Sequence, residues 1–112
     1  MRTFRKLQWC GLIALTVCCF GCSRGDVAAG EARAVTCLGC HGSPVRATAP
    51  NIPRIAGQSR VYLAKQLRDY REGRRSDPVM TPIANSLDDR QIDDIAAYFE
   101  SLEFCEEPAP GG

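Results

Sequence analysis

Five consecutive positions, Cys37-Leu38-Gly39-Cys40-His41, hold two thiols and the only imidazole of a 112-residue chain. Two residues between the cysteines bring both sulfurs within one turn of backbone, and the histidine follows at once. This is the attachment pattern of c-type haem. In it the sulfurs bond the two vinyl groups and the histidine sits under the iron as proximal ligand. A Cys-x-x-Cys pair also serves thiol redox and zinc sites, and both alternatives stay open at this point. The first wants an α/β pattern, whereas no strand periodicity is visible here. The second needs two more ligands, for which only Cys22 and Cys105 could supply thiols. A single His excludes a Cys2His2 zinc site and any site built on two histidines.

The start of the chain bears on where such chemistry could occur. Arg2, Arg5 and Lys6 precede an uncharged apolar run from Trp9 through Phe20, closed by Gly21-Cys22-Ser23. A basic start, a short apolar run and a small-residue site mark an export segment. The run is short of the roughly 20 apolar residues that span a bilayer, although an uncleaved helical anchor stays an alternative. Cys19-Phe20-Gly21-Cys22 resembles a bacterial lipoprotein signal, which implies cleavage before Cys22 and lipid on its sulfur and amine. Several acyl chains hold a protein on a membrane where one does so only marginally. The organisation expected is an export signal over 1–21, a tether over 22–25, a single domain over 26–104 and a disordered tail over 105–112. Cys105 is then a spare thiol, or a disulfide partner of Cys22 if Cys22 carries no lipid.

Composition narrows the rest. With 14 basic and 13 acidic residues the net charge is +1, without the basic surplus of a nucleic-acid binder. The charge is unevenly placed. Residues 33–75 hold nine basic side chains against Asp69 and Glu72, while residues 76–112 hold nine acidic ones against Arg90. Such halves read as solvated helix faces, or as a dipole that orients an approaching partner.

Three helices are expected. The first runs from an Asp26 cap to Cys37. The second follows Ser59, with Tyr62, Leu63, Gln66, Leu67 and Tyr70 at helical spacing and Gly73 to end it. The third starts from Ser86-Leu87-Asp88-Asp89 as a Ser-x-x-Asp cap, with Ile92, Ile95, Ala96, Phe99 and Leu102 as its apolar stripe. The Pro-rich stretches between them, one of them Ser76 to Ile83 around Met80, read as irregular. Segments of that length in a small domain are usually functional, and a core this thin needs a staple such as a cofactor.

Elimination identifies a second axial ligand for an iron on His41. No other His exists, Met1 leaves with the export segment, and Met80 is the only other methionine. Lys65, the only lysine beyond the export segment, is the fallback. His/Met ligation raises a haem potential and suits electron transfer.

Read together, Cys37-Leu38-Gly39-Cys40-His41-Gly42, Pro50-Asn51-Ile52-Pro53-Arg54-Ile55-Ala56-Gly57-Gln58, Tyr62-Leu63, Gln66-Leu67, Gly73-Arg74-Arg75, Met80-Thr81-Pro82-Ile83-Ala84 and Ile95-Ala96-Ala97-Tyr98-Phe99 resemble class I cytochromes c, in particular the cytochrome c4/c553-type domains. The resemblance covers residues 26–103 and implies a small all-α fold, three main helices wrapped around one covalent haem c with its iron. It implies Cys37 and Cys40 as the attachment sites and His41 and Met80 as the metal ligands. It implies Pro50 as the carbonyl that receives the proximal imidazole N–H, and Gly30 as the place where the first helix crosses the last near Phe99. It implies a monohaem single-electron carrier with no substrate chemistry of its own. The partners it implies are redox-protein donors and acceptors, such as membrane oxidases or dehydrogenases. Combined with the lipoprotein-like start, this places the protein on the periplasmic face of a bacterial membrane, a soluble periplasmic form being the alternative. A haem-bearing subunit of a dehydrogenase or oxidase complex is the competing reading. A haem gas sensor or peroxidase is a further one, which requires Met80 to be displaceable.

Overall fold

A computed structural model describes residues 25–42 and 48–102. Four helices account for most of them: α1 (Val27–His41), α2 (Arg60–Arg71), α3 (Met80–Asn85) and α4 (Asp89–Ser101). No strand occurs among the described residues, as an all-α fold requires. The export segment, the tether with Cys22, and the tail with Cys105 lie outside them, Gly25 apart.

Each helix boundary has a physical cause. Asp26 caps α1, its carboxylate accepting from Ala29 N–H at 2.9 Å. The helix runs a turn beyond the expected end at Cys37, because the first glycine able to stop it is Gly42. There φ is 72° and ψ −171°, a conformation essentially reserved for glycine. Ser59 precedes α2 but makes no side-chain cap. Glu100 of α4 supplies that bond instead, accepting from Arg60 N–H at 3.0 Å. Gly73 lies past the end of α2 with φ 76°, as its place in the sequence suggested.

The last helix starts two residues later than its Ser-x-x-Asp pattern implied. Asp88 accepts from Gln91 N–H at 2.8 Å, and the Gln91 side chain accepts in return from Asp88 N–H at 3.0 Å. Ser86 is not available for the role: its hydroxyl donates to the Ile83 carbonyl at 2.7 Å.

α4 is the central element, with α1 and α2 both packed on it and α3 packed on α2. Ile92, Ile95, Ala96 and Phe99 are buried and meet Ala34 of α1 and Leu63 and Ala64 of α2. Of the α2 residues at helical spacing, Leu63 and Tyr70 are buried and Tyr62 is 52% exposed. The crossing of α1 and α4 is close enough to exclude side chains. A Cβ on Gly30 would stand 2.0 Å from the Asp94 carbonyl oxygen and 2.8 Å from Tyr98 Cβ. The close contact thus spans Asp94 to Tyr98, the residue next to Phe99. Asp94, buried to 3% exposure, ties the same crossing by accepting from Asp26 N–H at 2.7 Å.

Charges separated along the sequence come together in space. Arg68 reaches Asp89 at 3.2 Å and Asp93 at 2.8 Å, and Arg71 reaches Asp89 at 2.7 Å. The basic side of α2 thus lies on the acidic side of α4. Much of the apparent dipole between the two halves of the sequence is cancelled inside the domain.

The turn after α2 is pinned by Asp69, 7% exposed. Its carboxylate accepts from Lys65 Nζ at 2.5 Å and Arg74 Nε at 2.7 Å. The Lys65 bond first, then the Arg74 bond, hold its carboxyl below the usual aspartate value. A carboxyl lowered on folding stabilises the native state fully above its unfolded pKa. That stabilisation is lost as pH falls through the folded value. Urea midpoints of the holoprotein are therefore expected to hold steady above the unfolded aspartate value of about 4 and to fall below it. Asp69→Asn should flatten that acid limb; an unchanged limb would contradict this role for Asp69.

Candidate functional site

The last turn of α1 carries the attachment motif. Cys37 and Cys40 are three positions apart on one helix, which puts their side chains on the same face. Both are free thiols, Cys37 half-buried and Cys40 exposed. Burial is the main cause that pushes the Cys37 thiol above its ordinary pKa; the neighbouring Cys40 adds to this, while a backbone hydrogen bond opposes it. Among the described residues no group of three or more His, Cys, Asp or Glu side chains gathers to hold a metal; Cys22 and Cys105, the other thiols a zinc site would draw on, lie outside them.

His41 ends the helix, and its ring is oriented by the loop that follows. Nδ1 lies 2.8 Å from the carbonyl oxygen of Pro53. The sequence resemblance gave this role to Pro50; the structure gives it to Pro53. Nδ1 bonded as a donor to a carbonyl leaves Nε2 unprotonated and able to ligate iron, the usual way a ligating histidine is held. Two further bonds fix this proximal loop. Thr48 donates from its hydroxyl to the Cys40 carbonyl at 2.5 Å, and Gly57 N–H donates to the Phe99 carbonyl of α4 at 2.8 Å.

Met80 is carried by α3, which packs on α2. The segment expected to be irregular is helical from Met80 onward. Hydrogen bonding starts earlier, at Asp77, whose carbonyl accepts from Thr81 N–H at 3.1 Å. Pro78 stands in the turn that leads into α3, where its missing N–H costs nothing. Asp77 Oδ1 accepts from Val79 and Met80 N–H, each at 2.8 Å. These bonds, Met80 first, hold the Asp77 carboxyl below its ordinary value.

Met80 is half-buried, and α3 makes no contact with α1. The two helices that carry His41 and Met80 stand apart, each braced on the α2–α4 pair. Lys65, the fallback ligand, is held by Asp69 instead.

The donor set fits haem c. Cys37 and Cys40, one turn apart, would bond the two vinyl groups, His41 Nε2 would ligate the iron, and the Met80 thioether would be its second protein ligand. Residues 27–103 match the family model for cytochrome c. The chain belongs to the cytochrome c family. Members of this family carry covalently bound haem c, and the cytochrome domain here occupies most of the chain.

Its relatives narrow the type. Over 77 residues it is 47% identical to cytochrome c4 of Pseudomonas aeruginosa, covering 69% of this chain and 38% of that protein. Over 82 residues it is 45% identical to cytochrome c-554(548) of Halomonas halodenitrificans, covering 70% of this chain and 99% of that one. The structure of reduced recombinant cytochrome c4 from Pseudomonas stutzeri superposes with a TM-score of 0.65 at 39% identity. That match covers 70% of this chain and 46% of the other. The cytochrome domain thus spans about half or less of the cytochrome c4 proteins it matches and nearly all of the small Halomonas protein.

Sequence reasoning missed two residues that shape the site. Pro53 stands in a run with three prolines, where no periodicity says which carbonyl turns inward. Asp77 was legible in principle, since Asp-Pro favours turn initiation.

Proposed function

We propose that the chain is a monohaem single-electron carrier with His41 and Met80 as axial ligands. The observation that carries the proposal is the last turn of α1: two thiols and an imidazole whose Nδ1 is taken by Pro53 at 2.8 Å, leaving Nε2 for iron. Bound haem supplies a one-electron iron couple. The polypeptide holds and orients it. Cys37 and Cys40 fix its edge, Pro53 fixes the His41 ring, and α3 presents Met80. With His41 and Met80 both ligating, the iron would have no position left for a substrate and would serve transfer alone. Support for redox-protein partners comes from a relative named thiosulfate dehydrogenase electron acceptor in Stutzerimonas stutzeri, 42% identical over 78 residues. In this reading a dehydrogenase-type donor reduces the protein and a membrane oxidase accepts from it. The test is a redox titration of the mature holoprotein combined with mixing against native membranes. A one-electron wave with reduction or reoxidation by the membranes is expected; a protein inert toward them contradicts the carrier role.

The same reading places the domain on the periplasmic face of the membrane, held by lipid on Cys22. No described helix is long and apolar enough to cross a bilayer. Cys22→Ser is expected to release the protein from washed membranes while leaving its visible spectrum unchanged. A variant that stays bound after alkaline washing points to an uncleaved helical anchor instead.

A further inference from the structure

Met80 has no covalent tie to the group it serves, so something in the chain must hold it in place. α3 is six residues long, too short to be stable by its own hydrogen bonds. Val79, immediately before Met80, is 57% exposed and gives it little burial. What holds the start of this segment is Asp77. Its Oδ1 takes the N–H groups of Val79 and of Met80 itself, each at 2.8 Å, and its own N–H donates to Thr81 Oγ1 at 3.0 Å. Its carbonyl takes Thr81 N–H at 3.1 Å. Four hydrogen bonds between Asp77 and residues 79–81 therefore enclose the Met80 backbone. None of them involves α4 or α1.

We propose that Asp77 is a positioning residue for Met80, setting how firmly the thioether holds the sixth axial position. The proposal rests on the His41/Met80 reading. It separates local grip from global stability. Removing the Asp77 acceptor frees two N–H groups of the helix start and loosens Met80, while the α1–α4–α2 core keeps its contacts. An Asn at the position keeps a side-chain oxygen and caps as well as Asp.

The test titrates imidazole into the oxidised holoprotein, following the weak sulfur-to-iron charge-transfer absorption, with amide hydrogen exchange at Val79 and Met80 as a second readout. Asp77→Ala is expected to tighten imidazole binding about fivefold, the scale of a lost helix cap, and to speed exchange at both amides. Asp77→Asn is expected to stay within about twofold of the natural protein, as the near-equal capping rank of Asn and Asp implies. Asp88→Ala, which removes the equivalent cap from α4, serves as the control: it should lower global stability and leave imidazole binding unchanged. Equal imidazole shifts in Asp77→Ala and Asp88→Ala, or none in Asp77→Ala, overturn the proposal. Thr81→Val removes only the reciprocal bond. If Asp77→Ala does not accumulate, the absence of any shift in Thr81→Val overturns the proposal by itself. A natural protein that lacks the sulfur band at the outset overturns the Met80 reading as well. A natural protein with the band and an inert Asp77→Ala overturns the positioning role alone.

Discussion

Met80→Ala leaves haem covalently attached and lowers its reduction potential on the order of 0.1 V or more, within the roughly 0.8 V range that axial ligands command. In the proposed reading attachment depends on Cys37 and Cys40, in the last turn of α1. Met80 is on α3, which makes no contact with α1. The two functions are thus carried by separate elements and separate on mutation. The weak sulfur-to-iron absorption of the oxidised protein should vanish, and added imidazole or water should take the open position. The thioether favours reduced iron, so its loss moves the potential down rather than up. An unchanged spectrum and potential in Met80→Ala means that another group holds the iron. Lys65 is a poor substitute, since its ammonium is 2.5 Å from the Asp69 carboxylate.

Gly30→Ala is the substitution expected to damage the fold most. The added Cβ meets the Asp94 carbonyl oxygen at 2.0 Å and its carbon at 2.6 Å. Both are backbone atoms of a helix and cannot swing aside as a side-chain end would. Relief requires α1 and α4 to part, which also stretches the Asp26–Asp94 bond. Overpacking of this kind costs about 3 kcal/mol, more than the roughly 1 kcal/mol that Ala gains over Gly in a helix interior. Denaturant unfolding of the holoprotein should show a lower midpoint at an unchanged slope. A midpoint equal to or above that of the natural protein would mean that the helices do not cross this closely.

Local chemistry made much of this fold readable in advance. The Asp26 cap, the buried stripe from Ile92 to Phe99 and the left-handed Gly73 all follow from short-range rules, and the structure keeps them. The rules failed where two candidates competed or where a distant residue intervened. Both Ser86-x-x-Asp89 and Asp88-x-x-Gln91 fit a capping pattern; only the second has a side chain that returns the bond. Ser59 is a good cap by composition, but Glu100 takes the role, accepting from Arg60 forty positions away. α3 escaped notice because six residues with a proline among them show no periodicity. Its cause is the Asp77-Pro78 start, a signature weaker than a run of apolar residues.

The site divides in the same way. Cys37, Cys40 and His41 are proposed from a spacing that covalent attachment requires, and Met80 is proposed by elimination in a chain with so few candidates. The orienting carbonyl does not. Pro50 and Pro53 belong to one irregular loop, and the choice between them depends on how that loop turns. Its turn is closed by Ile52 N–H on the Ala49 carbonyl at 3.1 Å and anchored by Gly57 on Phe99. The opposed charges of α2 and α4 are a further case. Along the sequence they look like the poles of a dipole, but folding places Arg68 and Arg71 against Asp89 and Asp93.

The most direct measurement is the intact mass of the mature domain, produced together with haem-maturation machinery and run in parallel on a denaturing gel stained for haem. The account predicts a polypeptide carrying one haem that survives denaturation, with neither Cys37 nor Cys40 open to a thiol reagent, and no stain in a Cys37→Ala, Cys40→Ala double variant. A natural chain that shows the bare polypeptide mass, two reactive thiols at these positions and no stain would contradict it.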